Sequence, residues 1–460
     1  MSPIDRTRLP PPGIDADFQF PAATKSRMSN GLGLWTLTRD RLPVVSVVLM
    51  LPAGAVLDPA DRPGLASITG DMLDEGSGDR SAIEVQEALA RLGAELDTDI
   101  GPDAVTVSLT LLGQHLQAGL RLLAGIVCRP RLAEADFERV RTLRLNRLRQ
   151  LRDVPAAAAE CALARALYGR HPYGHLPIGT TDALSQMRVD DVVVFHQEAY
   201  RPSRVTLVAA GAASHRNLAQ RVEDAFGAWV DPPVSRSGAS HASGSSALDW
   251  TAPTRLVLID RPGAAQTELR IGHVAVSRDT PDYHALVLAN AVLGGHFMSR
   301  INLNLRERKG YTYGARTGFD FRKQAGPFGL QTSVQTDATA DAVSEALSEI
   351  AAIRDSRPAT EDELELSRAT LTKGYARNFE TTGQLARGLT HLALYDLPDD
   401  TFADFSPRIR ALGPGEVTDA ANRHIHPERL VVVAVGDRAK IEDGLRALGL
   451  GDPLIATADL

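Results

Sequence analysis

Residues 191–211, DVVVFHQEAYRPSRVTLVAAG, align without a gap on residues 416–436, EVTDAANRHIHPERLVVVAVG, at an offset of 225. Pro202 falls on Pro427, Arg204 on Arg429 and Gly211 on Gly436. Each copy runs from an acidic-led helical stretch through a proline-marked turn into a β-branched strand, 205–208 in one and 430–433 in the other, and on into a further helix. A recurring unit sets the architecture before any local reading does. The chain is therefore expected to contain two homologous domains.

Between the copies lies DPPVSRSGASHASGSSALD, residues 231–249, rich in Pro, Ser and Gly and nearly free of apolar side chains. Such a composition reads as a flexible linker, dividing the chain into domains 1–230 and 250–460. Upstream, Val105, Val107 and Leu109 alternate with Thr106, Ser108 and Thr110, the period of a half-buried strand, and 116–127 follows with helical spacing. The second half echoes this: Phe328, Leu330 and Thr332 lead to Val334, and a helix is expected over 338–353. Ser81 and Glu84 form a capping box, with Gly93 as the helix stop. Each half is read as α+β, a mainly antiparallel sheet with helices packed on one face.

Of the 460 residues, 43% are hydrophobic and 23% charged, a soluble globular composition. The longest apolar stretch, 44–57, is broken by Ser46, Pro52 and Gly54 and falls short of the ~20 residues a membrane helix needs. Fifty basic against 57 acidic side chains leave a net charge of −7, which argues against nucleic acid as the main partner. Cys128 and Cys161 are too few for a disulfide framework or a thiolate zinc site and are expected in the core. The N-terminus carries no apolar signal segment, so the expected compartment is the cytoplasm, or the periplasm if a signal has been removed.

No His-x-x-Glu-His and no Cys-rich spacing occurs anywhere, so no metal site is expected in this chain. His171 and His175 are separated by Pro172 and Gly174, which oppose a shared helical face. His424 and His426 precede a strand without a supporting carboxylate pattern. Asp71, Asp74, Glu75 and Asp79 read as a solvated helix end. The arginine-rich helix 137–152, with Arg139, Arg141, Arg144, Arg147, Arg149 and Arg152, presents a charged outer face. In the second half Gly294-Gly295 precedes a helix expected over 297–309, with Gly310 as its stop and a strand beginning at Tyr311. On spacing alone Arg306 caps its own helix and Tyr313 packs on a core. Tyr311 and Tyr313 share a strand face by period 2.

The stretch GLASITGDMLDEGS, 64–77, after PAGAVLDPADRP, 52–63, resembles the pitrilysin-like inverzincin peptidases, which include the mitochondrial processing peptidases, and the similarity extends over most of the chain. In that family these positions carry His-x-x-Glu-His, with two zinc-binding His and a Glu that activates water. Here they are Ser67, Gly70 and Asp71. The family's third ligand, a Glu roughly 76 residues further on, falls on Arg147. The resemblance thus implies a vacated zinc site, with an Asp71–Arg147 ion pair in the place of the metal. It also brings a pattern of Arg, six residues, Tyr, which LRERKGYTYG meets with Arg306 and Tyr313. In the family that pair hydrogen-bonds substrate carbonyls and the developing oxyanion across from the zinc. Tyr311 is expected beside it, and Arg300 and Arg308 are the neighbours most easily confused with Arg306.

Lost ligands with a retained Arg/Tyr pair imply the non-catalytic subunit of a heterodimeric zinc peptidase. Zinc would reside in a homologous partner subunit, and the two chains would close as a clam shell around an unfolded peptide, bound as a strand on an exposed sheet edge. Only Gly294-Gly295 precedes His296, against the extended glycine-rich loop of the family's presequence-reading subunits. The rival reading is a non-enzymatic assembly subunit like the core proteins of respiratory complex III. A third is an independent enzyme holding a hard cation at Asp71, Asp74 and Glu75.

Overall fold

The computed structural model describes residues 18–232 and 255–458; residues 233–249 of the expected linker lie outside them. Two six-stranded sheets are present. The first comprises Thr24–Arg27 (β1), Gly33–Thr38 (β2), Val44–Leu51 (β3), Glu95–Ile100 (β4), Val105–Leu112 (β5) and Thr206–Gly211 (β6), in the order β1-β2-β6-β3-β5-β4. The second comprises Leu256–Asp260 (β7), Gln266–Val274 (β8), Thr312–Phe319 (β9), Pro327–Gln335 (β10), Val431–Gly436 (β11) and Leu454–Ala456 (β12), in the order β12-β7-β11-β8-β10-β9. The repeated strands β6 and β11 hold equivalent central places. Each lies parallel to one neighbour, β2 or β7, and antiparallel to the other, β3 or β8. The offset of 225 is thus a structural duplication. It makes the edge strands β4 and β9 counterparts.

The half-buried alternation expected for 105–110 is realised in β5, whereas β3 (VVSVVLML) is apolar almost throughout. Continuous apolarity marks a strand buried on both faces. One face of the first sheet, including Leu49, Leu109 and Leu207, packs on helices of its own half. The other face, Leu37, Val48, Val208 and Ala210, is covered by Leu385, Ala386 and Leu389 from the distant helix Thr382–Leu394. The exchange is reciprocal: Ala158, Ala159 and Leu163 of helix Pro155–Tyr168 cover Val257, Ile259, Val431 and Val433 of the second sheet. Each half is α+β as expected, and its second sheet face is closed by a helix borrowed from the other half.

Further contacts tie the halves. The tip of the β9–β10 hairpin docks on the first half, where Tyr168 donates to Ala325 O (3.0 Å) and the Lys323 N–H to Asp103 (2.8 Å). The Ser81/Glu84 capping box forms on helix Ala82–Leu92, with Gly93 left-handed at its end. Cys161 is buried and Cys128 half-buried, both as free thiols. Among the described residues no helix is long and apolar enough to cross a membrane.

Candidate functional site

Helix α1, Leu65–Asp71, opens at Gly64, whose φ of +95° and close approach to Gly179 suit only glycine. The buried Asp58 carboxylate accepts from the N–H groups of Gly64 and Ala66, both at 2.7 Å, at the start of this helix. Burial pushes its carboxyl up to about 7 against the pull of those donors and of Arg144. Ser67 and Asp71, four residues apart, share one helical face. Both point at helix α2, Glu134–Arg152.

What they meet is Arg144. Its Nε donates to Asp71 Oδ2 (2.7 Å), its Nη2 to Ser67 Oγ (2.5 Å) and its Nη1 to Ile178 O (3.1 Å). The side chain is nearly buried and all three nitrogens are engaged. The planar fork of arginine allows one cation to bind three acceptors at once. The expected Asp71–Arg147 pair is therefore corrected to Asp71–Arg144, one helical turn away. Arg147 is exposed and lines the same cavity of about 620 Å³, with Asp71, Asp74, Leu96 and Asp97. The sequence did hold a signal for Arg144: the buried positions of α2 are Phe137, Val140, Arg144 and Leu148, a helical stripe on which it is the only arginine.

Gly70, where the resemblance puts the general base, is also closed. A Cβ on Gly70 would stand 2.9 Å from Ile100 Cγ1 of the edge strand β4, so no glutamate fits there without displacing Ile100. Zinc does not fit these residues, since the only two donors, a hydroxyl and a carboxylate, are already committed to a permanent cation. Among the described residues no group of three or more His, Cys, Asp or Glu is placed to hold a metal. His171 accepts from Tyr173 N and meets Gln324, while His175 Nδ1 donates to Leu176 O, so the two imidazoles serve separate bonds. His424 bonds Asp282, and His426 engages His273 through its own N–H. Within the acidic cluster Glu75 pairs with Arg139, and burial and then Glu75 raise the carboxyl of Asp74.

In the second half helix Tyr283–Asn290 passes into a π-helical segment, Ala291–Gly295, and a second π-helical segment spans Asn302–Arg308. The helix expected over 297–309 thus begins later, after a turn at 296–299. π-Helical insertions are rare and concentrate at functional sites. Arg306 lies on the second segment, its guanidinium carbon 4.0 Å from the centre of the Phe297 ring. Glu307 Oε1 is 3.3 Å from its Nη1, yet Nη1 is buried without a hydrogen-bond partner. Tyr313 on β9 is 92% exposed. Phe297 and Tyr313 line one cavity of about 670 Å³, whose wall also includes His296, Asn302, Glu268 and Arg270.

Tyr311 does not join them. Its ring packs against the second core, and its N–H donates to Leu305 O at 2.9 Å. The expected shared face of Tyr311 and Tyr313 fails because β9 is bulged: three steps from Thr312 to Ala315 oppose two from Val334 to Thr332. Arg300 is buried and saturated by Glu363 and two carbonyls, and Arg308 is exposed. Arg270 is buried between Glu268 and Glu160. Glu160 reaches this place only on the exchanged helix Pro155–Tyr168, so no local pattern announced it. The outer edge of β9 is covered as well: Thr317 bonds Asn290, and Gly294 abuts the Thr317 backbone.

The description "Insulinase (Peptidase family M16)" matches residues 36–181, and "Peptidase M16 inactive domain" matches residues 186–371. An uncharacterized zinc protease of Mycobacterium tuberculosis is 27% identical over 309 residues, covering 66% of this chain and 68% of that protein. A probable mitochondrial-processing peptidase subunit beta of Arabidopsis thaliana is 19% identical over 432 residues, 92% of this chain and 80% of its own. Among solved structures, a peptidase M16 inactive domain from Pseudomonas fluorescens superposes with a TM-score of 0.81 at 23% identity, covering 90% of this chain and 98% of that one. A protease from Helicobacter pylori gives the same score at 15% identity, covering 90% and 99%. These last two share the fold.

Proposed function

The chain belongs to the M16 peptidase family, and from that premise we propose that it is the zinc-free subunit of a two-chain zinc peptidase. In this reading Arg306 and Tyr313 bind the carbonyl of a peptide held between this chain and a homologous zinc-bearing partner subunit. The observation that carries it is Arg144, bonded to both Ser67 and Asp71: a chain whose ligand positions are filled by its own guanidinium has no place for the metal or the base. Hydrolysis then depends on the partner's zinc and general base. This chain supplies a permanent donor at Arg306 and a phenolic donor at Tyr313, groups suited to a developing oxyanion in a closed chamber.

Two features support a peptide as the ligand. The cavity beside Tyr313 mixes an exposed aromatic wall, Phe297 and Tyr313, with the polar floor of Glu268 and Arg270. The first sheet ends in β4, whose Leu96, Asp97 and Thr98 border the other cavity, so a peptide strand could add there and be read through its main chain.

The test is zinc content and peptidase activity of this chain alone, of a zinc-bearing homologue alone, and of the two mixed. Cleavage only in the mixture, with zinc on the homologue, supports the reading. Cleavage by this chain alone overturns it. A stable complex no more active than the homologue alone favours the assembly role instead.

A further inference from the structure

The side chain of Asn302 is 5% exposed and lies at the junction of the three segments that carry Phe297, Arg306 and Tyr313. Its Oδ1 accepts from Ala315 N (3.0 Å) and its Nδ2 donates to Ala315 O (2.8 Å). A residue whose N–H and C=O are both met by one partner is in the hydrogen-bonded pair of an antiparallel ladder. Asn302 thus gives β9, an edge strand, the bonds that a further strand would supply. The same amide nitrogen also reaches His296 O and Ser299 Oγ, each at 3.2 Å.

The consequences follow from strand parity. Ala315 and Thr317 are buried, so an unbroken period of 2 would turn Tyr313 onto the same buried face. The bulge at 313–314 prevents this. It is held on one side by Thr312 and Thr332, whose hydroxyls donate to Gly314 O, both at 3.0 Å, and on the other by Asn302 at Ala315. Through His296 and Ser299 the same side chain fixes the turn that presents Phe297, on which the Arg306 guanidinium rests. One amide therefore sets the direction of Tyr313 and the platform of Arg306.

We infer that Asn302 is the positioning residue for Tyr313 and for the Phe297 platform under Arg306, acting through the β9 bulge and the 296–299 turn without itself reaching the reacting atoms. The roles of Arg306 and Tyr313 rest on the reading above; the geometric part is tested without it. In the wild-type chain the Ala315 amide should exchange at least about fivefold more slowly than an open edge amide, as one hydrogen bond worth about 1 kcal/mol allows. The Nε–Hε signal of Arg306 should be shifted by the Phe297 ring current. Asn302→Asp, which keeps the acceptor and loses both N–H donors, and Asn302→Ala should both move that signal to where Phe297→Leu puts it.

In the complex with a zinc-bearing homologue, Asn302→Asp should lower kcat about tenfold with KM within twofold, the pattern of a misplaced group. An Ala315 amide exchanging as freely as an open edge in the wild type overturns the inference even if neither variant folds, and so does an unmoved Arg306 signal in a folded variant. Unchanged turnover in Arg306→Ala and Tyr313→Phe would sink the peptidase-subunit reading alone. Loss in those two variants with none in Asn302→Asp would sink this inference alone.

Discussion

The edge strands β4 and β9 hold equivalent places in the two sheets, and the helical residues beside them are arranged in opposite ways. Beside β4 the polar groups of the helix α1 face are spent internally: Arg144 satisfies Ser67 and Asp71, and Ile100 fills the space over Gly70. Beside β9 the polar groups are held yet left open, with Tyr313 in solvent and Arg306 Nη1 buried without a hydrogen-bond partner. A buried donor without a partner is costly and persists where something else is gained by it. The first corner is saturated by its own side chains, and the second leaves donors open, as the proposed peptide-binding role requires.

The largest break in this comparison would be to restore the first corner. The variant Ser67→His, Asp71→His, Arg147→Glu with Arg144→Ala is expected to bind zinc stoichiometrically by metal analysis. The same variant keeping Arg144 should bind none, because the guanidinium holds the space and the charge. Equal zinc in both would show that Arg144 is a bystander.

Next in size is the loss of an open donor. Arg306→Ala or Tyr313→Phe should lower kcat/KM of the reconstituted complex about 100-fold, the usual effect of removing one oxyanion donor. Urea unfolding of Tyr313→Phe should stay within about 0.5 kcal/mol of the parent, since the ring is in solvent. Arg144→Ala should show the reverse pattern. It leaves Asp71 and Ser67 without their partner and should cost about 2 kcal/mol, below the range for fully buried pairs because Asp71 is 40% exposed. A silent Arg144→Ala in unfolding would remove the distinction between the corners.

The last effect is in pH. Asp58 titrates near 7 when folded and at 3.8 otherwise, so the folded chain keeps a proton that the unfolded chain releases between about pH 4 and 7. Its contribution to stability is fully present below the lower value and is lost as pH rises through the upper one. The neighbouring His175, whose pKa burial lowers, gives the opposite slope below 6.5. The measurement is therefore the stability of the wild type minus that of Asp58→Asn, which should fall from pH 4 to pH 7 and then level. A flat difference would mean that the two N–H donors keep Asp58 ionised throughout.

Much of the fold was legible in the sequence because its signals are local or periodic. Alternation located β5, the Ser81/Glu84 box located a helix start, and the 225-residue offset announced the duplication. The ligand positions that the resemblance leaves without imidazoles are read from residue type alone, since a missing imidazole needs no coordinates to be noticed. Counting residues along α2 points to Arg147 because it does not say which turn faces α1, whereas the buried stripe through Phe137, Val140 and Leu148 points to Arg144. Period 2 puts Tyr311 beside Tyr313 because it assumes an unbroken strand, and the bulge depends on Asn302, eleven residues before Tyr313.

By itself the sequence determined the two-domain α+β plan, the absence of zinc-ligand residues where the family places them, and the Arg306/Tyr313 spacing, all carried by residue type and short-range order. Only the tertiary structure decided which cation meets Ser67 and Asp71, which helix covers which sheet, and which tyrosine faces the cavity. Those outcomes turn on groups far apart in sequence, Asp71 with Arg144 and Glu160 with Arg270, whose meeting is fixed by packing and hydrogen-bond satisfaction and leaves no periodic trace in the chain.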